Sequence, residues 1–448
     1  MRICVYKAST PGKAFIRRED FSSFLRLKSR NGGNDYETIC SDSFIPLSAR
    51  PACGLRQQKH HPERKQTDGT DERCHRTACI RQSPADAAAS YDRFAVDLFK
   101  TCYDGGNTLL SPLSVLGALG MTAGGAAGET LSQMEDLFGM NADEIAAYLA
   151  AFGSDGEGAK LKIANSIWVR EDLRVRDAFL ARNTANYGAA IYKTAFGDDT
   201  VAAINDWIEE HTDGLVKDVL DRVSPDAVMY LVNALALDAK WENIYRENEV
   251  WKATFTAADG TKQDTDMMYS EESRYLADAD TTGFVKYYQG RRYAFAALLP
   301  REGMSIADYV ASLNGEKLGA LLDGMTAEKV NAGLPRFKTE YTVEMSKALA
   351  ALGMTDAFDP ARADFSGMAE IADGDNICIS RVLHKTYIAV DESGTKAGAA
   401  TVVEMTECAM FEPEQPKEVI LDRPFVYLLI DCENGNAPVF IGTVEDLK

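Results

Sequence analysis

Between residues 85 and 448 the only imidazoles are His211 and His384, so base-catalysed hydrolysis in this stretch would have to run through one of them. Neither stands in a pattern that such chemistry uses. The sequence holds no Gly-x-Ser-x-Gly nucleophile turn and no His-Glu-x-x-His helix. The Gly124-Gly125-Ala126-Ala127-Gly128 run has the composition of a phosphate loop, but it follows a helical pattern and has no Lys-Ser/Thr after it, so it reads as a helix end and turn. His60, His61, Cys74 and Cys79 invite a zinc reading that their Cys-x4-Cys step does not fit. We therefore expect no enzyme activity, no cofactor and no metal.

A different chemistry is written in residues 390–424, VDESGTKAGAATVVEMTECAMFEPEQPKEVILDRP. Asp391-Glu392-Ser393-Gly394 ends an apolar run and frees the chain to turn. Ala397, Gly398, Ala399 and Ala400 follow, then Thr401 and the β-branched pair Val402-Val403. Small residues make a poor core strand, yet nothing here is bulky and no Pro blocks strand formation. At period two, Thr395, Ala397, Ala399, Thr401, Val403 and Met405 share one face, and both charges, Lys396 and Glu404, fall on the other. An exposed linker and a strand accepted late into an existing sheet both fit this pattern. EPEQPKE at 412–418 reads as exposed loop and VYLLI at 426–430 as a buried strand.

The elements that must carry this segment read as follows. Tyr91 to Tyr103 has helical apolar spacing. Ser111 can cap a helix that Pro112 opens. ANSIWV at 164–169 is a short strand, and 204–221 is a helix ended near Gly214. VMYLVNALALDAKWE at 228–242 is apolar on both faces, as a central strand must be, and contains Asn233 and Trp241. Residues 284–300 make two strands across Gln289-Gly290, 330–359 run strand then helix, and 379–392 lead into the small-residue segment. The class is α+β, without repeats.

Five blocks, NTLLSPLSV at 107–115, LVNALALDAKWE at 231–242, LPRFKTEYTVEMSKALAALGM at 334–354, LHKTYIAVDESGTKAGAAT at 383–401 and DRPFVYLLI at 422–430, closely resemble the signature segments of serpins, in order and spacing, over residues 86–448. The resemblance implies the serpin fold, about three β-sheets with eight to nine helices and an exposed reactive-centre loop. It also implies a one-use inhibitor. A serine protease acylates itself on the loop, and the freed loop enters the central sheet before deacylation, as stored conformational energy is released. A non-inhibitory carrier, chaperone or storage protein on the same fold is the alternative.

Carried over residue by residue, the resemblance makes Glu392, Gly394, Thr395, Ala397, Gly398, Ala399, Ala400 and Thr401 the hinge. Trp241, Ser111, Ser114, Asn233 and His384 become the residues that control insertion. The family's usual reach of about seventeen residues from Glu392 puts the scissile bond between Cys408 and Ala409, with the register able to fall anywhere from Thr406 to Met410. Cysteine is small and weakly polar, and no Lys or Arg lies between Lys396 and Lys417, so an elastase-like or subtilisin-like target is expected rather than a trypsin-like one.

Charge divides the chain in two. Residues 1–84 carry 16 Lys/Arg against 9 Asp/Glu, whereas the net charge of the whole chain is −20, so the body is strongly acidic. Such a field repels phosphate, and neither nucleic acid nor membrane insertion is expected. The head, residues 1–85, is basic, holds Cys4, Cys40, Cys53, Cys74 and Cys79, and shows no period. We expect it to be disordered or a mis-assigned upstream extension, dispensable to the domain at 86–448. The family favours an extracellular monomer, although no signal peptide is visible.

Overall fold

The computed structural model describes residues 83–152, 158–372, 375–395 and 415–448, together with the backbone of three strands in the basic head. Helix α1 (Pro84–Cys102) starts well before Tyr91 because Ser83 and Asp86 form a capping box. The Ser83 hydroxyl accepts the Asp86 N–H at 3.2 Å, and the Asp86 carboxylate accepts the Ser83 N–H at 3.2 Å. Helix α2 (Pro112–Ala123) opens on Pro112 under the Ser111 cap and is buried along its whole length, which is why its sequence is apolar all round. Helix α3 (Asp198–His211) begins earlier and ends sooner than its periodicity suggests. Asp213 and Gly214 take φ of 51° and 74°, which stops the helix.

Nine α-helices and three main sheets, with a two-stranded ribbon, make up the described residues. One sheet of six strands is built around Tyr293–Pro300, Phe425–Asp431 and Ala437–Val444, all fully buried. A four-stranded sheet runs in the order Lys417–Ile420, Val330–Pro335, Lys262–Glu272 and Val250–Thr256.

The largest sheet, of nine strands, positions the site. Its labelled strands are β1 (Arg2–Ser9), β2 (Leu27–Asn31), β3 (Asn34–Thr38), β4 (Ala159–Arg170), β5 (Ala190–Thr194), β6 (Ala227–Lys240), β7 (Phe337–Glu344), β8 (Asp375–Asp391) and β9 (Gly394–Thr395). From one edge the order is β7, β8, then a slot, then β6, β4, β5 and the β3–β2 hairpin. Strands β6 and β8 run parallel and pair with each other nowhere among the described residues; β1 and β9 lie between them, antiparallel to both. Strand β6 is buried on both faces: Met229 and Leu231 enter the main core, while Tyr230 and Val232 pack with Trp168 and with Ile204 and Trp207 of α3. Helix α3 thus lies across the outer face of the sheet.

The expectation of a structureless head does not anticipate β1, β2 and β3. Each is at most eight residues long; β1 pairs only with β6 and β8 of the body, and β2 pairs only with β3, which reaches the body through β5, so a run this short shows no period of its own. The zinc reading of His60, His61, Cys74 and Cys79 falls outside the described residues.

Candidate functional site

At the top of the slot the chain reverses from β8 into β9, so that Gly394 pairs with Asp391 and Lys240, and Thr395 with Val390 and Ala239. Gly394 has φ +149°, and a Cβ there would stand 2.2 Å from the Ala239 carbonyl oxygen and 2.7 Å from the Lys240 Cα. Only glycine brings the chain this close to β6. Thr395 is 4% exposed, and its hydroxyl is hydrogen-bonded to that of Tyr288 at 2.6 Å. Tyr288 is itself stacked on Trp241 at 4.4 Å with the rings 7° from parallel.

Trp241, one residue beyond β6, ties the turn down from beneath. Its indole N–H donates to the Asp391 carbonyl at 2.8 Å, and its backbone N–H to the Ser393 carbonyl at 3.0 Å. Glu392 is held from outside by an ion pair with Arg336, and this hydrogen bond raises the pKa of the guanidinium. Below the indole, Lys286 is 1% exposed, bonded to Glu272 at 2.8 Å, with its Nζ 4.2 Å from the centre of the Tyr245 ring. Burial works against that ammonium, yet Tyr245 and Glu272 hold its pKa up.

Halfway down the slot a second, polar cluster spans four elements. The Ser111 N–H donates to His384 Nε2 at 3.0 Å, and the Ser111 hydroxyl donates to the Val439 carbonyl at 2.9 Å while accepting the Ser114 N–H at 3.3 Å. The Ser114 hydroxyl donates to Asn233 Oδ1 at 2.5 Å, and the Asn233 amide to Asn165 Oδ1 at 2.8 Å. Because Nε2 accepts, the proton of the neutral His384 ring sits on Nδ1, which has no partner among the described residues. Burial holds the His384 pKa well below the usual imidazole value. The cluster pins α2 to β4, β6 and β8, and a small pocket lined by Ser111, Ser114, Asn233, Leu235, His384 and Thr386 lies beside it.

The structure thus brings Glu392, Gly394, Thr395 and Trp241 together at the top of the slot, and Ser111, Ser114, Asn233 and His384 at its middle. Ala397, Gly398, Ala399, Ala400 and Thr401, and the bond Cys408–Ala409, lie outside the described residues. Sequence reasoning missed Tyr288, Arg336, Lys286 and Asn165. Tyr288 and Lys286 stand next to a turn the sequence did reveal, but no local pattern says that a tyrosine will meet a threonine more than a hundred positions away. His384 Nε2 is taken up by the Ser111 N–H while the Ser111 hydroxyl donates to the Val439 carbonyl, and no group of acidic, His or Cys side chains among the described residues could hold a metal. No helix among them is long and apolar enough to cross a membrane.

A family model described as Serpin (serine protease inhibitor) matches residues 89–447. An uncharacterized serpin-like protein of Thermococcus kodakarensis is 31% identical over 366 residues, covering 79% of this chain and 84% of the relative. The leukocyte elastase inhibitor of Homo sapiens is 29% identical over 372 residues, covering 78% of this chain and 96% of the relative. Among solved structures, the thermophilic serpin tengpin in its native state superposes with a TM-score of 0.75 at 42% identity, over 80% of this chain and 94% of tengpin.

Proposed function

The chain belongs to the serpin family, and from that premise we propose that it is a serine endopeptidase inhibitor that works as a suicide substrate. As a member of a family of protease inhibitors it is not an enzyme. The reactive loop after Thr395 is the bait. The target attacks it, and once the bond is cut the loop continues the path begun by β9 down the slot between β6 and β8, trapping the acyl-enzyme.

One observation carries this reading. Gly394 and Thr395 are already paired on both sides, antiparallel to β6 and β8, in the register a further strand would extend. A loop serving only as a tether would have no need of a glycine whose every substitute meets the β6 backbone, nor of a buried threonine at the strand's leading position. Each added ladder bond contributes about 1 kcal/mol net, so a strand of some ten residues releases energy comparable to a whole domain's stability, about 5–15 kcal/mol.

The target is an elastase-like or subtilisin-like enzyme, cutting between Cys408 and Ala409 and met outside the cell by a monomer. The elastase inhibitor among the relatives supports that choice. Incubation with a panel of serine proteases should give an SDS-resistant complex near the sum of the two masses. Mass spectrometry of the released peptide should find it beginning at Ala409. Loop cleavage by every protease tried with no complex from any of them would favour a carrier role instead.

A further inference from the structure

The slot has a second occupant. Strand β1, from the extreme end of the basic head, pairs with both β6 and β8 in its lower half. Arg2 lies across from Val232 and Leu383, Ile3 from Leu231 and Val382, Cys4 from Tyr230 and Arg381, and Val5 from Met229 and Ile379. Its polarity is that of β9, antiparallel to both neighbours. The sequence fits the register. Ile3 and Val5, the two β-branched apolar residues, are placed opposite residues of the main core, and the β8 partners Val382 and Ile379 are no more than 1% exposed. No other described segment enters this part of the sheet.

We infer that the lower slot is a strand-binding site whose resident ligand is the chain's own residues 2–9, and that this strand must leave before the reactive loop can insert fully. The inference rests on the inhibitory reading for its consequence, but not for the placement of β1. Register supplies the argument. Thr395 pairs with Ala239 and Val390, so a strand continuing from it brings residue 402 opposite Val232 and Leu383, the same two residues that Arg2 pairs with. Before that point, no described strand is paired in the slot with Ala234–Asp238 of β6 or with Lys385–Ala389 of β8. Residues 396–400 therefore meet no strand in the slot, and from Val402 onward every ladder bond is contested by β1. Reaching Cys408 requires β1 to be expelled. The basic head then becomes a brake on insertion, and whatever binds or removes it would release the brake.

The native Cys4 offers a direct test in the full chain. With Arg381→Cys, oxidised glutathione should join Cys4 to the new thiol, two thiols giving up their protons and two electrons to form the disulfide while the oxidant becomes two molecules of glutathione. Peptide mapping locates the link. With a protease that forms a complex with the unsubstituted chain, the linked protein should be cut in the loop without retaining the protease, and dithiothreitol should restore complex formation; Arg381→Ser and the unsubstituted chain, treated with the same oxidant, should give equal complex yields, so that any capping of Cys408 is common to all three. Hydrogen exchange on the unsubstituted chain provides a reading free of folding effects: residues 2–9 should be protected in the intact protein and lose protection when the loop is cleaved. Free exchange of residues 2–9 in the intact protein would overturn the inference, as would a link that leaves complex yield unchanged. A protein with protected residues 2–9 that forms no complex with any protease would keep the strand site and refute the inhibitory reading instead.

Discussion

Replacing Gly394 with alanine tests the insertion mechanism at its first step. The added Cβ would lie 2.2 Å from the Ala239 carbonyl oxygen, and both nearest atoms belong to the β6 backbone, which cannot swing aside as a side chain would. At φ +149° an L-residue is also strained by about 1–3 kcal/mol. The chain must lift β9 out of the slot, which forfeits the Thr395–Tyr288 hydrogen bond and loosens that from Trp241 to Ser393, at about 1 kcal/mol each. Lifting relieves that strain, so the cost, about 2 kcal/mol, falls on a local element at the rim of the sheet; the fold survives and the intact protein should melt within a few degrees of the parent. The same clash recurs whenever the loop tries to enter. We expect Gly394→Ala to be cleaved at the parent rate, to form an SDS-resistant complex in low yield, and to show little of the thermal stabilisation that cleavage gives the parent. The assay is a titration of protease activity against inhibitor, with gel and melting measurements on the products. A stoichiometry of inhibition equal to the parent's would refute the reasoning, because it would mean that insertion does not pass through the β9 register.

Thr395→Arg should convert the inhibitor into a substrate, since a guanidinium would have to enter a site that is 4% exposed, at a cost of several kcal/mol; loop cleavage should persist while the complex disappears on gels. Tyr288→Phe removes the hydroxyl bonded to Thr395 while keeping the ring that stacks on Trp241, so it should free the hinge by about 1 kcal/mol, seen as faster hydrogen exchange at 393–395 with melting nearly unchanged; unchanged exchange would count against the latch. His384 should make the intact protein acid-sensitive. Its folded pKa is depressed by burial, so the unfolded chain takes up the proton first, and the stability present above about pH 6.5 is lost progressively as the pH falls below that value. Asp92, raised to about 7 by burial and by Asp323, acts with the opposite sign over the same range, gaining stability as pH falls, so the effect is to be read as the difference between the parent and His384→Gln. Equal pH slopes for the two proteins would remove His384 from the account.

What the sequence revealed and what it hid divide along physical lines. Strand β6 was legible because a strand buried on both faces must be apolar without alternation, and α2 because Ser111-Pro112 announces its start. The reversal at 391–395 was legible because an acidic turn ending in glycine closes an apolar run. The clamp of Arg336 on Glu392 and the latch of Tyr288 on Thr395 were not, since each joins residues from different elements whose meeting depends on sheet register. Strand β1 was hidden for the same reason in its strongest form: eight residues cannot declare themselves when both their partners lie more than two hundred positions away.

Register also gives the small-residue run a reason that composition alone could not supply. Continuing the Thr395 register brings Ala397 opposite Leu237 and Ile388, Ala399 opposite Leu235 and Thr386, and Thr401 opposite Asn233 and His384. Those partners are all less than a tenth exposed, and at Asn233 the space is already shared with α2, where a Cβ on Gly117 would stand 3.0 Å from the Asn233 amide nitrogen. Bulky residues at 397 and 399 would have to displace a packed core before the first new ladder bonds formed, whereas alanines need displace little. Thr401 differs from them because its station differs. It would arrive beside the one buried imidazole of the sheet, whose Nδ1–H lacks an acceptor among the described residues, and a hydroxyl is the smallest side-chain group that can both fit and accept that bond. If the loop inserts as proposed, its sequence from Ala397 to Thr401 would suit the slot position by position, as far as Val402, where β1 stands in the way.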